Sequence, residues 1–486
     1  MQIYSDVIKI AHPQRLYIGG EWRTPLQPQP YQLIDPATEE KHEGFSLGGQ
    51  KDADAAIAAA RKAFDEGPWP RMQPRERAEL LASLTAALES RRSELEEAWT
   101  LQTGALCRMR ANAVNNGLGH FKRASEQALT FEFERDEESA SGDAIVRYEP
   151  VGVVAAIASW NGPLLQMASK VGPALAAGCT VVMKPAAQAP IEAIIIAECA
   201  ERVGIPAGVV NFVLLDREGA DVLVSDHRVD KVGFTGSTEV GRHIARTCGD
   251  RIARCTLELG GKSAAIVLDD ADIGLVGRTM ARTIAALSGQ LCTMLSRVIV
   301  SDDKHDALAE AIAAEMRNVK IGDPRDANSE MGPLASRRQL ETVQRYVSNA
   351  KDCGLQLIHG GERPSYLETG FYYEPTLFGN VAPGSQLARE EIFGPVLSLI
   401  KATDENDAVR IANDSVYGLH GSVFTRDKAR ALNIARRIRT GSFGQNGMRL
   451  DFSLPFGGYK QSGIGREGGP DAIRSYLELK TIILDC

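Results

Sequence analysis

Apolar and polar positions change rhythm several times along this chain. Between 151 and 259, short apolar runs at 153–158, 180–183, 209–215, 231–234 and 255–259 are separated by longer stretches rich in Ala, Ile and Glu. Runs that short suit strands buried on both faces, and the intervening stretches suit helices. The pattern therefore predicts parallel βαβ units with right-handed crossovers. A second alternation starts near Ala264, with strands expected at 264–267, 297–300, 396–400 and 422–424, and predicts a second α/β domain. Such sheets bind ligands beyond the carboxyl ends of their strands, which is where Asn161, Lys184, Gly236 and Glu258 fall. The cleft between the two domains is the expected site.

The flanking segments read differently. Leu16-Tyr17-Ile18-Gly19-Gly20-Glu21-Trp22 is strand, turn, strand, and the Ala-rich 54–64 is helix. Leu81, Leu84, Leu88, Leu95 and Trp99 recur near the 3.6 period and predict a packing helix over 75–99. Period-two alternation at 130–135, a polar tract at 138–142 and a similar alternation at 477–483 predict strands of one projecting extension.

Composition narrows the function. At 486 residues the chain has room for roughly three domain-sized units. The 63 acidic and 55 basic residues give a net charge of −8 with no basic block, which disfavours a nucleic-acid partner. The first residues show no basic-then-apolar signal pattern, and no run approaches the roughly 18 apolar residues of a membrane span. Eight scattered cysteines, without a CxxC pair or a nearby His, exclude a common zinc pattern and point to reduced thiols in a cytoplasm. No metal is expected.

One cysteine stands apart. Cys292, in Ser288-Gly289-Gln290-Leu291-Cys292-Thr293, is framed by small and polar residues and looks presented, whereas the other seven read as core thiols. Ser159-Trp160-Asn161-Gly162-Pro163 and Leu257-Glu258-Leu259-Gly260-Gly261-Lys262 each put a polar side chain in a turn after a strand. No G-x-G-x-x-G follows the first strand of the 151–259 region, and no P-loop is present, since Gly260-Gly261-Lys262-Ser263 imitates a P-loop's end but position 256 is Thr. Phe234-Thr235-Gly236-Ser237-Thr238-Glu239-Val240-Gly241 runs from a strand end into a helix start. It reads either as a phosphate site or as an ordinary N-capped turn.

With Glu391-Ile392-Phe393-Gly394-Pro395 and Pro455-Phe456-Gly457-Gly458, these motifs closely resemble, in order and across nearly the whole chain, the signature set of the aldehyde dehydrogenase superfamily. The resemblance implies an α/β fold of two parallel-sheet domains, a Rossmann-like cofactor domain and a catalytic domain, plus a small β oligomerisation extension. The implied division is 1–129 with 151–260 for NAD(P), 261–455 for catalysis, and 130–150 with 471–486 for joining subunits into a homodimer or homotetramer.

It further implies NAD(P)-dependent oxidation of an aldehyde to a carboxylic acid, through a thiohemiacetal and then a thioester on Cys292. Asn161 and the Cys292 N–H are the implied oxyanion donors, Glu258 the base for the hydrolytic water, and Lys170 with Glu467 a proton relay. Implied cofactor contacts are Ile157, Ser159, Trp160, Lys184, Ala187, Gly236, Ser237, Val240, Leu259, Gly260, Glu391 and Phe393. Many NAD-preferring relatives carry a glutamate where this chain has Ala187, so NADP is expected to be tolerated. Glu258 favours a free acid as product, because members that acylate coenzyme A generally lack it.

Relatives narrow their tunnel with aromatics at positions that here are Gly162, Gln166, Ser169, Ala285 and Ala286. That implies bulky aromatic, terpenoid or long-chain aldehydes, with Arg449 and Asp451 near the entrance. Read as residues alone, Asn161 could cap a turn, Lys184 could be a solvated surface residue, and Lys170 and Glu467 could be surface ion-pair partners. A non-catalytic structural protein and a thiol-dependent esterase are the alternatives for the whole chain. No histidine sits in a matching motif, which disfavours a papain-like hydrolase.

Overall fold

The computed structural model describes residues 2–3 and 7–485, so Cys486 and most of the stretch read for a signal lie outside the described residues. After a short antiparallel pairing of Gln2–Ile3 with Lys9–Ile10 comes the hairpin β1 (Leu16–Ile18) and β2 (Glu21–Arg23). Helices α1 (Gln50–Asp65), α2 (Pro74–Glu89), α3 (Arg92–Thr103) and α4 (Cys107–Thr130) follow. Strands β3 (Glu134–Glu137) and β4 (Asp143–Pro150) then leave the body.

The predicted alternation comes next: β5 (Val153–Ile157), α5 (Pro163–Ala177), β6 (Thr180–Lys184), α6 (Ile191–Arg202), β7 (Val210–Phe212), α7 (Arg217–Ser225), β8 (Lys231–Thr235), α8 (Thr238–Asp250) and β9 (Arg254–Glu258). The second alternation supplies β10 (Ser263–Val267), β11 (Leu295–Ser301), β12 (Gln356–His359), β13 (Thr376–Gly379), β14 (Val396–Ala402), β15 (His420–Phe424) and β16 (Ser442–Gln445). Two late strands, β17 (Gly463–Ile464) and β18 (Leu477–Leu484), complete the set used below.

The first sheet has the order β17-β9-β8-β5-β6-β7-β1-β2, and the second β12-β13-β14-β11-β10-β15-β16. In the first, β9, β8, β5, β6 and β7 are mutually parallel, so their carboxyl ends share one edge. Every residue of β5 is buried, as a strand covered by helices on both faces requires. β17 returns to this sheet and pairs antiparallel with the end of β9, Leu257 against Ile464 and Glu258 against Gly463. The chain after 455 therefore closes over Glu258. β18, β4 and β3 form a separate antiparallel sheet.

Three expectations are corrected. The helix predicted over 75–99 is two helices. At Arg91 the backbone leaves the helical path, with φ −109° and ψ 20°. There its guanidinium bonds both Glu94 oxygens (2.8 and 2.7 Å), Glu198 and the Lys9 carbonyl (2.8 Å). The strand expected from 130 begins at Glu134, because α4 runs to Thr130. The cysteines also divide: Cys179, Cys199 and Cys248 are buried, Cys107 and Cys255 partly so, and Cys353 is exposed; none of the seven described is bridged. Among the described residues no helix is long and apolar enough to cross a membrane, and no group of three His, Cys, Asp or Glu could hold a metal.

Arg91 joins α3 to α6 through two mostly buried carboxylates. Arg91→Met would strand both, and the expected loss is about 3 kcal/mol of stability. Denaturant titration checks this, and a change below about 0.5 kcal/mol, the level of an ordinary surface substitution, would contradict it.

Candidate active site

β9 ends at Glu258 and β10 begins at Ser263, so four residues carry the chain from one large sheet to the other. Two are glycines for a steric reason. A Cβ on Gly260 would stand 2.1 Å from Glu391 Oε2, and one on Gly261 would stand 2.3 Å from the Cys292 carbonyl oxygen. Only bare backbone lets the cysteine segment and the Glu391 carboxyl come this close.

The approach to Cys292 is strained. Leu287, Ser288 and Gly289 have φ of 45°, 53° and 74°, a left-handed run that costs the two non-glycine residues roughly 1–2 kcal/mol each. Side-chain bonds hold it. Ser288 Oγ donates to Gly332 O (2.7 Å), Gln290 Nε2 to Leu287 O (2.9 Å), and the Ala335 N–H to Gln290 Oε1 (2.9 Å). Gly289 packs so tightly on Gly394 that a Cβ would lie 2.1 Å from its carbonyl.

Asn161 completes the attachment. Its Oδ1 accepts from Ser159 Oγ (2.7 Å) and Gln166 Nε2 (2.8 Å), while its Nδ2 donates to Gln290 O (3.0 Å). Two donors at Oδ1 fix which way the amide faces, so Nδ2 lies on the cysteine side with a second N–H in reserve. Asn161 does not merely cap a turn. Gln166, read above only as a tunnel position, fixes Asn161, with its Oε1 held by the Ser159 N–H (2.8 Å).

Cys292, Glu258, Asn161 and Glu467 all border one cavity of about 480 Å³. Glu258 is buried, and neither carboxyl oxygen has a partner. Burial, reinforced by the Glu467 charge, holds its carboxyl well above the ordinary range. Glu467 accepts from Ser169 Oγ (2.7 Å) and lies 2.9 Å from Lys170 Nζ, which donates to Thr235 Oγ1 (2.6 Å). Lys170 and Glu467 are thus a buried pair and not surface partners. Burial pushes the Cys292 thiol up to about 12, and the Glu391 and Glu258 charges push the same way, against the nearby N–H groups of Thr293 and Cys292.

Gly162, Gln166 and Ser169 line the cavity as expected. Ala285 and Ala286 do not, because they end a helix packed behind the cysteine loop; Leu291 and Met448 take their place. Arg449 and Asp451 do not line it either. Arg449 turns back toward Gln445 O, and Asp451 caps the turn at Ser453. Sequence reasoning missed the α4 wall, which supplies Met109, Asn112, Ala113, Asn116 and His120. Burial, with Arg123 and Lys170 nearby, lowers His120 to about 3 and keeps it neutral.

The residues read as cofactor contacts gather at the carboxyl edge of the first sheet. Ile157 ends β5, with Ser159 and Trp160 just beyond. Lys184 ends β6 with Ala187 three residues on, and Leu259 and Gly260 follow β9. Gly236 and Ser237 precede α8, where Ser237 is the N-cap and Val240 is 45% exposed. Lys184 is half-buried and not a solvated surface residue; burial lowers its ammonium, and among the described residues no carboxylate pairs with it. Trp160 meets Phe393 edge to face at 5.4 Å, with Phe393 itself at φ 58°. An unpaired lysine, a helix N-terminus and an exposed apolar side chain along one edge fit a dinucleotide's ribose, phosphates and base. Lys262, outside every expectation, is buried behind Glu391 with no partner, and burial brings it down to about 7.

The family model described as "Aldehyde dehydrogenase family" matches residues 22–482. A 3-succinoylsemialdehyde-pyridine dehydrogenase of a Pseudomonas species is 42% identical over 97% of this chain and 98% of its own length. A geranial dehydrogenase of Castellaniella defragrans is 39% identical, with the same coverage. Among solved structures, aldehyde dehydrogenase C of Pseudomonas syringae, in complex with NAD+ and octanal, superposes with a TM-score of 0.93 at 35% identity, covering 98% of both chains. The chain belongs to the aldehyde dehydrogenase family and is an NAD(P)-dependent aldehyde dehydrogenase.

A thiol held high by burial, with two neighbouring carboxylates pushing the same way, has a testable signature. In the enzyme alone, iodoacetamide labelling of Cys292 should keep rising from pH 7 to pH 10, because each unit below the pKa leaves about tenfold less thiolate. Glu391→Gln removes one repelling charge, so the thiol falls and labelling at pH 8 quickens. A plateau below pH 8 in the parent enzyme, or no gain in the variant, would contradict the assignment.

Proposed function

We propose that this chain oxidises bulky, largely apolar aldehydes to free carboxylic acids through a covalent intermediate on Cys292, with NAD or NADP as the electron acceptor. The observation that carries the reading is one cavity bordered at once by a thiol, an oriented amide and an unpaired carboxyl. Attack by the Cys292 thiolate on the aldehyde carbon forms the C–S bond and puts negative charge on oxygen. The spare N–H of Asn161 and the backbone N–H of Cys292 are the donors for that charge. The bound nucleotide supplies the hydride acceptor. What remains on Cys292 is a thioester. Glu258 then takes a proton from the attacking water, and the adjoining Glu467–Lys170 pair carries that proton away from the cavity.

Ile157, Ser159, Trp160, Gly236, Ser237, Val240, Leu259, Gly260, Glu391 and Phe393 are the proposed contacts along the nucleotide, with Lys184 at the adenine ribose. Ala187 offers no carboxylate against a 2′-phosphate, so both nucleotides are proposed to serve. Residues 1–129 with 151–260 are the proposed cofactor unit and 261–455 the catalytic unit. Unbridged cysteines support a cytoplasmic setting.

Mixing protein, nucleotide and octanal should raise absorbance at the reduced-nicotinamide band with NAD and with NADP. Asn161→Ala should cut kcat by about 10²–10³-fold. No signal with either nucleotide would refute the reading; a strict preference for NAD would refute only the part resting on Ala187.

The size of the cavity and its walls of Leu95, Trp99, Met109, Leu291, Phe452 and Phe456 support an apolar substrate. The relatives named for geranial and for a pyridine-bearing semialdehyde, and the one solved with octanal, support it too. A Cβ on Gly162 would find only Gln166 Nε2, at 3.6 Å, so an aromatic ring can be built there. Gly162→Phe should lower the octanal-to-acetaldehyde ratio of kcat/KM by roughly tenfold or more. Acetaldehyde as the best substrate of the parent enzyme would contradict the wide cavity.

The extension has an open edge. On β18, Leu479 is 65% exposed and Ile483 51%, on one face of a strand with an unpaired side. We propose that β3, β4 and β18 join subunits into a homodimer or homotetramer. Sedimentation should show an oligomer that Leu479→Asp weakens, and a monomeric parent would contradict this.

A further inference from the structure

The catalytic cavity has a second polar feature that the chemistry above does not use. Glu192, the second residue of α6, borders it alongside Leu95 and Trp99, yet the residue is only 1% exposed. The Gln102 amide is fully committed around it. Gln102 Oε1 accepts the Ile191 N–H (2.9 Å), and its Nε2 donates to Ala98 O (3.0 Å) and to Glu192 Oε2 (2.6 Å). Glu192 Oε2 is therefore an acceptor, and Oε1 is buried with no hydrogen-bond partner among the described residues.

Burial raises the Glu192 carboxyl to about 7, against the pull of the Gln102 amide and its own backbone N–H, and among the described residues no cation helps to pull it down. With Oε2 occupied as an acceptor, the proton of the neutral acid sits on Oε1. That leaves an O–H donor without an acceptor in the part of the wall that Leu95 and Trp99 also line. A buried donor left unmade is unfavourable, so the group is expected to be satisfied by whatever fills the chamber.

We propose that Glu192 is a specificity-determining residue, whose Oε1 hydroxyl donates a hydrogen bond to a second acceptor on the aldehyde, such as a ketone oxygen or a pyridine nitrogen, remote from the reacting carbonyl. The inference rests on aldehyde oxidation in this cavity, as proposed above. It narrows the substrate class from apolar aldehydes to apolar aldehydes that carry one neutral acceptor.

The test compares a series of straight-chain keto-aldehydes, the ketone stepped along the chain, with alkanals of matched length, in the full-length enzyme with its nucleotide. For at least one ketone position the parent enzyme should favour the keto-aldehyde by roughly tenfold in kcat/KM, the worth of one hydrogen bond. Glu192→Leu should bring that ratio to about one. Glu192→Gln should keep most of it, because its amide offers an N–H donor where Oε1 stood. Three outcomes overturn the proposal: no preference at any ketone position in the parent enzyme, a preference that survives in Glu192→Leu, or one lost equally in Glu192→Gln. The alkanal rates separate the two readings, since an enzyme that turns over neither series fails as an aldehyde oxidiser and not at Glu192.

Discussion

The two large sheets meet where side chains are missing. At Gly260 and Gly261 the chain passes between the two large sheets, and any Cβ would collide with Glu391 on one side and with the Cys292 backbone on the other. That steric allowance brings the end of β9, which carries Glu258, against the loop that carries Cys292. The left-handed run at 287–289 then spends strain to aim the cysteine, and Ser288, Gln290 and Asn161 hold it in place. Strain of this kind persists only where surrounding bonds over-determine it.

The electrostatics follow from the same crowding. Glu391 and Glu258 both act on the sulfur, and among the described residues neither has a cation in contact, whereas Glu467 has Lys170. Burial, with the Glu391 and Glu258 charges behind it, keeps the thiol hard to ionise. A carboxyl kept above its usual range is also matched to accept a proton from water near neutral pH. Lys170 Nζ joins Glu467 to Thr235 Oγ1, and Ser169 Oγ donates to Glu467 as well.

Much of this was legible in the chain, for a physical reason. Strands buried on both faces are short apolar runs, and β5, β6, β8 and β9 stood close to where those runs did. Asn161 and Glu258 drew notice as single polar side chains at the ends of such runs and Cys292 as a thiol framed by small and polar residues, while their roles came from the resemblance. What escaped notice depends on partners remote in sequence. α4 carries Asn115, Asn116, Gly117 and Gly119, poor helix formers, and is stabilised by packing such as Leu164 filling the notch at Gly117. Its wall of the cavity was therefore unread. Gln166 was read only as a tunnel position and Glu192 had no reading at all, since nothing local shows that one bolts Asn161 and the other is bonded by Gln102. The split at Arg91 likewise depends on Glu198, more than a hundred residues away.

The account turns on a covalent acyl group passing through Cys292 and leaving by way of Glu258. The most direct measurement is acid quenching of Glu258→Gln after mixing with nucleotide and aldehyde, followed by mass spectrometry of the Cys292 peptide. The account predicts that this peptide carries the acyl group on nearly every chain, with about one reduced nucleotide formed per chain before turnover stalls. An unmodified peptide, or unslowed steady turnover in that variant, would contradict it.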